Sequence, residues 1–186
     1  LIRETEEDDP DKADYLFRLA ELYAQKQRYF HFLVMEAFAK IEKAKDKSEK
    51  QKIEREQKRN ESFEKQQLVD AVRIYKALAD NARFKNYARM DEALFYYAYT
   101  LTQAKYEEEA RKVYHRLIKD YPGSKFIPNA YLSFAEFYFK ENDLEKAEKF
   151  YDKVLEFPKA SVYIYALYMK GWVLYNQARP EASLDT

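Results

Sequence analysis

Small and large apolar residues recur at intervals of three and four over much of the chain, which predicts amphipathic α-helices. The two clearest stretches are Leu94-x-x-Tyr97-Ala98-x-x-Leu101 and Tyr131-x-x-Phe134-Ala135-x-x-Tyr138. Each is followed by a short turn and by a second pattern, Ala110-x-x-x-Tyr114-x-x-Leu117 and Ala147-x-x-x-Tyr151-x-x-Val154. Because Ala110 and Ala147 lie 37 residues apart, the pattern indicates an internal repeat of one helix pair.

The residue types in the repeat have a physical reason. A small residue at Ala98 or Ala135 lets two helices approach closely, and large residues three and four positions away fill the remaining space. Pro122 and Pro158 close the two units, because proline cannot continue a helix. A third copy begins near Ala166, with Gly171 at the small position. We therefore predict repeats at about 91–124 and 128–159, and a partial repeat at 164–186.

The spacing of apolar residues in the N-terminal part of the chain predicts three more helices. Asp9-Pro10-Asp11 opens the first, with a capping side chain and a proline where its missing N–H costs little. A short break is predicted near Gln25–Arg28, followed by a second helix. A further helix is predicted at 66–80. The expected packing positions are Leu16, Leu19, Ala20 and Tyr23 in the first helix, Phe30, Leu33, Val34, Ala37, Phe38 and Ile41 in the second, and Leu68, Ala71, Val72, Tyr75 and Leu78 in the third.

Residues 42–65 have a different character, since most of them are charged and Ile53 and Phe63 are the only large apolar side chains. Opposite charges four residues apart support a helix, and no glycine or proline breaks it. The segment lacks the apolar heptads of a dimeric coiled coil. It is interpreted either as a solvated helical extension or partly disordered linker, or as an arm that docks a partner.

Composition narrows the classes of function. The 33 basic and 33 acidic residues give a net charge of zero, which argues against attraction to nucleic acid or anionic lipid. Cysteine is absent, so disulfides and thiolate metal sites are excluded. The two histidines, His31 and His115, lie far apart in sequence, and no phosphate loop, zinc motif or nucleophile elbow is present. We expect no enzyme activity, no cofactor and no metal.

The repeat pattern of residues 90–186 resembles the tetratricopeptide repeat family. The segment 111–124, with Tyr114, Leu117, Ile118, Tyr121 and Pro122-Gly123-Ser124, is similar to bacterial cell-envelope members, namely outer-membrane-assembly lipoproteins and Tol-associated periplasmic proteins. Residues 12–38 resemble a degenerate first copy and 66–80 a helix B, separated by a charged insertion that departs from the family pattern. The resemblance implies an all-α, right-handed superhelix of stacked antiparallel helix pairs, with a long charged helix near the N-terminus. Its parts are an N-terminal region at 1–80 and repeats at 81–186.

The resemblance also implies a ligand groove lined by the first helix of each pair. An aromatic groove of this kind suits an apolar peptide, and it lacks the lysines and arginines with which chaperone-binding members clamp a carboxylate. The alternative is that these side chains simply pack against neighbouring helices. The implied groove residues are Phe95, Tyr99 and Gln103, then Leu132, Glu136 and Phe139, then Tyr168, Trp172 and Tyr175.

The resulting hypothesis is a non-enzymatic scaffold that binds a protein or peptide partner. The resemblance places it in a machine of the bacterial cell envelope, such as outer-membrane assembly, Tol-type or motility apparatus, with a periplasmic location. The alternatives are an architectural subunit that self-associates through its C-terminal repeat, and a cytoplasmic adaptor. Because Thr186 falls inside what reads as an unfinished repeat, we expect the chain to be a fragment. No run of residues is apolar enough to span a bilayer.

Overall fold

A computed structural model describes residue 9 and residues 11–178 of the chain, and within this part it contains helices and no strands. The prediction of an all-α protein is therefore confirmed. A short 3₁₀ turn at Ala82–Phe84 follows the second helix. The α-helices are α1 (Lys12–Glu42), α2 (Lys47–Asp80), α3 (Met90–Gln103), α4 (Glu107–Asp120), α5 (Ile127–Lys140), α6 (Leu144–Leu155) and α7 (Tyr163–Gln177).

The chain divides into two compact units, the first ending at Val113 and the second beginning at Tyr114. In unit 1, α2 packs against both α1 and α3. In unit 2, α6 packs against both α5 and α7. Helices that are neighbours in sequence thus pack as pairs within each unit.

The N-terminal region contains one long helix where the sequence predicted two. The predicted break near Gln25–Arg28 is wrong, because α1 runs without interruption from Lys12 to Glu42. The reason is local, since alanine, glutamine, lysine and arginine at 24–28 are all strong helix formers and no glycine or proline stands among them. The predicted burial of Phe38 is also wrong: Val34 and Ala37 are buried as expected, but Phe38 faces outward.

The helix start differs in detail from the predicted cap. The Asp9 carboxylate accepts a hydrogen bond from the Asp11 backbone N–H at 2.8 Å, whereas the Asp11 side chain makes no capping bond. Pro10 lies outside the described residues. The end of the predicted partial repeat, residues 179–186, also lies outside them, so α7 is the part of that repeat that the structure shows.

The charged segment is an ordered helix, and it forms the first half of α2. Asp46 caps this helix by accepting a hydrogen bond from the Glu49 N–H at 2.8 Å. α2 returns antiparallel along α1, because Phe30 meets Phe63 at 5.2 Å between ring centroids while Phe17 meets Tyr75 nearer the base. The hypothesis of a disordered linker is therefore wrong.

Where the segment is charged, the seam between the two helices is mixed, because α1 buries Val34 and Ala37 there while α2 contributes polar side chains. Gln57 and Asn60 are buried there. The Glu64 carboxylate accepts a hydrogen bond from Gln27 Nε2 at 2.9 Å and lies 3.0 Å from His31 Nδ1. The charged segment has no apolar heptad, as predicted, but a hairpin within one chain can pack without one because its two helices are already tethered.

The base of the hairpin carries the repeat pattern. Ala20 on α1 and Ala71, Tyr75 and Leu78 on α2 are all almost fully buried, at the positions predicted for helix A and helix B of a first copy. The first half of α1 and the last half of α2 thus form a helix pair of the repeat type. The insertion lengthens both helices beyond that pair and leaves the pairing itself intact.

Unit 1 is centred on Phe17, a fully buried residue that the sequence did not single out. Its ring lies 6.2 Å from Tyr75 of α2, 6.3 Å from Tyr87 of the connection and 6.4 Å from Tyr96 of α3. The Arg89 guanidinium stacks 4.1 Å above the Phe17 ring. One side chain therefore joins three helices and their connecting segment.

The turn inside each repeat has the same backbone geometry in both clear copies. Lys105 and Asn142 adopt the left-handed conformation, with φ of 65° and 58°. The N–H of Tyr106 bonds to the Leu101 carbonyl at 2.9 Å, and that of Asp143 bonds to Tyr138 at 2.9 Å. This six-to-one hydrogen bond defines a Schellman motif, which satisfies carbonyls at the end of a helix.

The turn between repeats occurs three times, once more than the sequence indicated. The N–H of Ser124 bonds to Tyr121 and that of Ala160 to Phe157, at 2.9 and 3.0 Å. The same bond joins Tyr87 to Phe84 at 2.9 Å, inside the segment 81–90 that the sequence left as a plain connection. In this third turn, Lys85 occupies the position that Pro122 and Pro158 occupy in the other two. Because no proline marks the turn, it could not be recognised from the sequence.

We predict that Lys105→Gly stabilises the protein by about 0.5–1 kcal/mol, because glycine adopts positive φ without the steric cost that lysine bears. Urea unfolding followed by circular dichroism measures the change. The matched control is Lys112→Gly in the middle of α4, which should destabilise by about 1 kcal/mol. A loss of stability on Lys105→Gly would contradict the prediction.

We also predict that Phe17→Ala destabilises unit 1 by about 3–5 kcal/mol, since it empties the centre of the aromatic cluster. Phe32→Ala on the same helix is the control and should change stability by less than about 0.5 kcal/mol, because that ring is exposed. Equal effects of the two substitutions on the urea midpoint would rule out the central role of Phe17.

Candidate functional site

The three predicted groove residues of unit 1 lie along one line of α3. Phe95 is half-buried, whereas Tyr99 and Gln103 are exposed. The Phe95 and Tyr99 rings stack, with centroids 6.5 Å apart and an angle of 28° between planes. Residues four apart share one helix face, so these side chains form a continuous strip of apolar and amide surface.

The three predicted groove residues of α5 have mixed environments. Leu132 and Phe139 are partly buried and pack against the core of unit 2, which contains Ala135 and Tyr151. Packing therefore accounts for much of their surface, as the alternative interpretation held. Glu136 lies between them on the helix and is exposed.

Glu136 belongs to a small polar cluster that the sequence did not indicate. Its carboxylate accepts a hydrogen bond from the Tyr165 hydroxyl of α7. Desolvation by the surrounding protein raises the pKa of Glu136, and the Tyr165 hydrogen bond acts in the opposite direction. Burial, together with the nearby Glu136 charge, also raises the pKa of Tyr151, whose buried hydroxyl makes no hydrogen bond to the described residues.

The three predicted groove residues of α7 lie together on its exposed surface. Trp172 makes edge-on ring contacts with Tyr168 at 6.4 Å and with Tyr175 at 5.8 Å. These three rings and Gly171 line a shallow, open concavity of about 350 Å³. Ile164, Leu167 and Leu174 on the same helix are exposed as well. Most of the apolar surface of α7 is thus uncovered within the described residues.

A further exposed apolar surface lies on α1, where the sequence placed no site. Tyr29, Phe32, Met35 and Phe38 are between 53% and 62% exposed. They follow one another at intervals of three residues, so the direction of the side chain turns by about 60° at each step, and Tyr29 and Phe38 lie on opposite sides of α1. Phe38 was expected at a packing position, whereas Tyr29, Phe32 and Met35 were not singled out from the sequence.

No group of three or more histidine, aspartate or glutamate side chains in the described part of the chain is arranged to hold a metal ion. His31 is exposed and lies beside Glu64. Within the same residues, no helix has both the length and the apolar composition needed to cross a membrane.

The fold and these surfaces define a protein of packed helix pairs with exposed apolar faces. The family model for the tetratricopeptide repeat matches residues 92–124, which cover α3, α4 and the turn after them. The match supports the tetratricopeptide repeat family, whose repeats are typical of protein-interaction scaffolds. No curated protein and no solved structure matches the chain.

We predict that Glu136→Gln stabilises the protein slightly at pH 7 and has little effect at pH 4, the gain being small because solvent still reaches the Glu136 side chain. Because the pKa of Glu136 is raised in the folded state, ionisation of the carboxyl group favours the unfolded chain. The charged carboxylate therefore lowers stability once the pH rises above 4.5, the ordinary pKa of a glutamate. Glutamine keeps the acceptor for Tyr165 and removes the charge. Urea unfolding at pH 4 and pH 7 measures the difference.

Glu145→Gln is the control of opposite sign. Lys149 Nζ lies 2.6 Å from the Glu145 carboxylate and holds the pKa of that group below its usual range. Replacing Glu145 by glutamine removes this attraction and should therefore lower the free energy of unfolding slightly at pH 7. The effect should disappear as the pH falls below about 4. Effects of the same sign for both substitutions would contradict the assignment of Glu136 as a desolvated carboxylate.

Proposed function

We propose that the chain is a non-enzymatic scaffold that binds a protein or peptide partner within a multiprotein assembly. The observation that carries this proposal is the position of Phe95, Tyr99 and Gln103. All three lie inside the matched repeat at 92–124 and along one line of its first helix, where Tyr99 and Gln103 are exposed and Phe95 is half-buried. Tyrosine provides a large contact area at low entropic cost, which suits recognition of an apolar peptide.

We place this scaffold in the bacterial cell envelope, in outer-membrane assembly, a Tol-type complex or a motility apparatus. The support is the resemblance of residues 111–124 to repeats of envelope proteins, with Tyr114 and Leu117 buried at the packing positions. A cytoplasmic adaptor is the alternative. Fractionation of native cells, with the full-length protein detected by antibody, separates the two: recovery in the cytosol would overturn the envelope proposal.

The groove proposal predicts that Tyr99→Ala with Gln103→Ala lowers partner capture at least tenfold without unfolding the chain. Both side chains are exposed, so their truncation removes contact surface and leaves the core unchanged. Wild-type and variant chains serve as baits in extracts of the native organism, and captured proteins are compared by quantitative mass spectrometry.

Tyr106→Ala supplies the matched control for this experiment. Tyr106 is also an exposed tyrosine, but it lies in the turn after α3 and off the Phe95–Tyr99–Gln103 line. Circular dichroism confirms that all three chains are folded. If the double variant captures the same partners as Tyr106→Ala at the same level, the α3 strip does not bind them.

An architectural role through self-association is a second candidate, and the exposed apolar surface of α7 favours it. Trp172 is the single tryptophan of the chain, so its fluorescence reports directly on that surface. Self-association through α7 should shift the emission to shorter wavelength as concentration rises, in step with the mass from sedimentation. A constant monomer mass at high concentration would exclude this role.

A further inference from the structure

A glutamate follows the buried alanine of the first helix in both units. In unit 1, Ala20 is completely buried and Glu21 comes next on α1. In unit 2, Ala135 is equally buried and Glu136 comes next on α5. The large residues around the two alanines correspond one to one: Leu16, Leu19 and Tyr23 in α1, and Tyr131, Phe134 and Tyr138 in α5. Glu21 and Glu136 therefore occupy equivalent positions of the repeat.

A buried tyrosine of the following helix lies close to each of these glutamates. Tyr75 on α2 and Tyr151 on α6 both come four residues after a buried alanine. Burial raises the pKa of each hydroxyl, and the charge of the glutamate in the same unit raises it further, Glu21 for Tyr75 and Glu136 for Tyr151. The two units thus contain the same pair of groups, a carboxylate beside a buried phenol.

The two glutamates differ in the cation that accompanies them. In unit 1, the Arg18 guanidinium lies 3.0 Å from the Glu21 carboxylate, one turn away on α1. In unit 2, the position of Arg18 is taken by Ser133, whose hydroxyl donates a hydrogen bond to the Asn129 carbonyl at 3.2 Å. Glu136 therefore lacks the arginine that its counterpart has.

No basic side chain among the described residues of unit 2 replaces that arginine. Desolvation raises the pKa of Glu136 and the Tyr165 hydrogen bond lowers it, but no cation contributes. Lys140, one turn after Glu136 on α5, is therefore not close enough to act on this pKa. The lysines of α6 and α7 are each paired with another acid: Lys146 with Asp143, Lys149 with Glu145, Lys153 with Glu156 and Lys170 with Asp152.

Aromatic side chains of α7 lie beside the Glu136 carboxylate, which solvent reaches. Tyr165 donates its hydrogen bond to this carboxylate, and Tyr168 is near enough to influence the pKa of Tyr165. Tyr168 in turn contacts Trp172, and both rings line the concavity on α7. A guanidinium group bound to a carboxylate is attracted further by the faces of aromatic rings nearby. The surroundings of Glu136 therefore suit a cation that has apolar neighbours.

We propose that Glu136 binds an arginine or lysine side chain of a partner peptide whose apolar residues contact Tyr168 and Trp172. The inference rests on the proposed scaffold function and names the chemistry of a partner that unit 2 recognises. The cationic group of the peptide takes the place that Arg18 has beside its glutamate in unit 1. The Tyr165 hydroxyl holds the carboxylate in position, so the ion pair forms at a fixed point of the surface.

The test begins with a display library of 12-residue peptides in which every position is randomised. Peptides are selected on the folded wild-type chain after those that bind the Glu136→Gln chain have been removed. The selected pool should be enriched in arginine or lysine next to apolar residues. Replacing the basic residue of a selected peptide by glutamine should lower its affinity for the wild type roughly tenfold or more, measured by fluorescence anisotropy.

Ser133→Arg is the most direct variant, because it copies the arginine of unit 1 into unit 2. The introduced guanidinium should pair with Glu136 and lower the pKa of that carboxyl group, which NMR titration measures. It should also weaken binding of the selected peptides roughly tenfold or more, since it occupies the position of their basic residue.

Glu141→Gln is the matched control, since it removes an exposed acid at the end of α5 and changes the net charge by the same amount as Glu136→Gln. Selected peptides should bind it as tightly as the wild type, and circular dichroism checks that all the variants are folded. A pool without basic residues, or unchanged affinity for the Ser133→Arg chain, would overturn the proposal. So would equal losses of affinity for Glu141→Gln and Ser133→Arg.

The variant with Tyr99→Ala and Gln103→Ala changes the other unit and should keep full affinity for these peptides. Loss of partner capture by that variant tests the Phe95–Tyr99–Gln103 line, whereas the peptides test Glu136. Either proposal can therefore fail alone.

Discussion

The close approach of antiparallel helices at alanine positions is the constraint on which each unit depends. Ala20 and Ala71 in unit 1, and Ala135 and Ala147 in unit 2, are completely buried. A larger side chain at any of them would push two helices apart, and the tyrosines and leucines beside them would lose their contacts. The repeat pattern therefore matches side-chain size to the space between two helices. Small residues set the distance between the helix axes, and large residues fill the remaining space.

Two kinds of turn recur along the chain and connect the packed helices into a repeat. The turns after α3 and after α5 each contain a left-handed residue and reverse the chain within a helix pair. A second kind of turn, which begins at Phe84, Tyr121 or Phe157, connects one pair to the next. Because each turn is specified by its own hydrogen bonds, a pair can be lengthened if the turn within it is replaced and the turn after it is kept. The connection between α1 and α2 has no left-handed residue, whereas the Tyr87 N–H still bonds to the Phe84 carbonyl after α2. The hairpin of α1 and α2 shows this, since its base keeps the packing of a repeat while its outer half is an added structure.

Aromatic residues serve two purposes in this protein. Phe17 and Tyr75 are buried and hold helices together, whereas Tyr99, Trp172 and Phe32 expose their rings. Exposed aromatic side chains on rigid helices present binding surface with little conformational entropy to lose, which is the property a protein-interaction scaffold requires.

The sequence by itself determined the helical class, the two clear repeats and the beginning of a third, because the spacing of small and large residues is a local property of one helix. It did not determine which apolar residues are covered. Phe38 reads as a core residue and Phe17 attracts no notice, yet the first is exposed and the second lies at the centre of unit 1. Periodicity reports which side of a helix is apolar, but whether another helix lies there depends on tertiary packing. For α1 the neighbouring helix makes the difference, since Phe17 packs against Tyr96 of α3 whereas more than half of the Phe38 side chain is exposed.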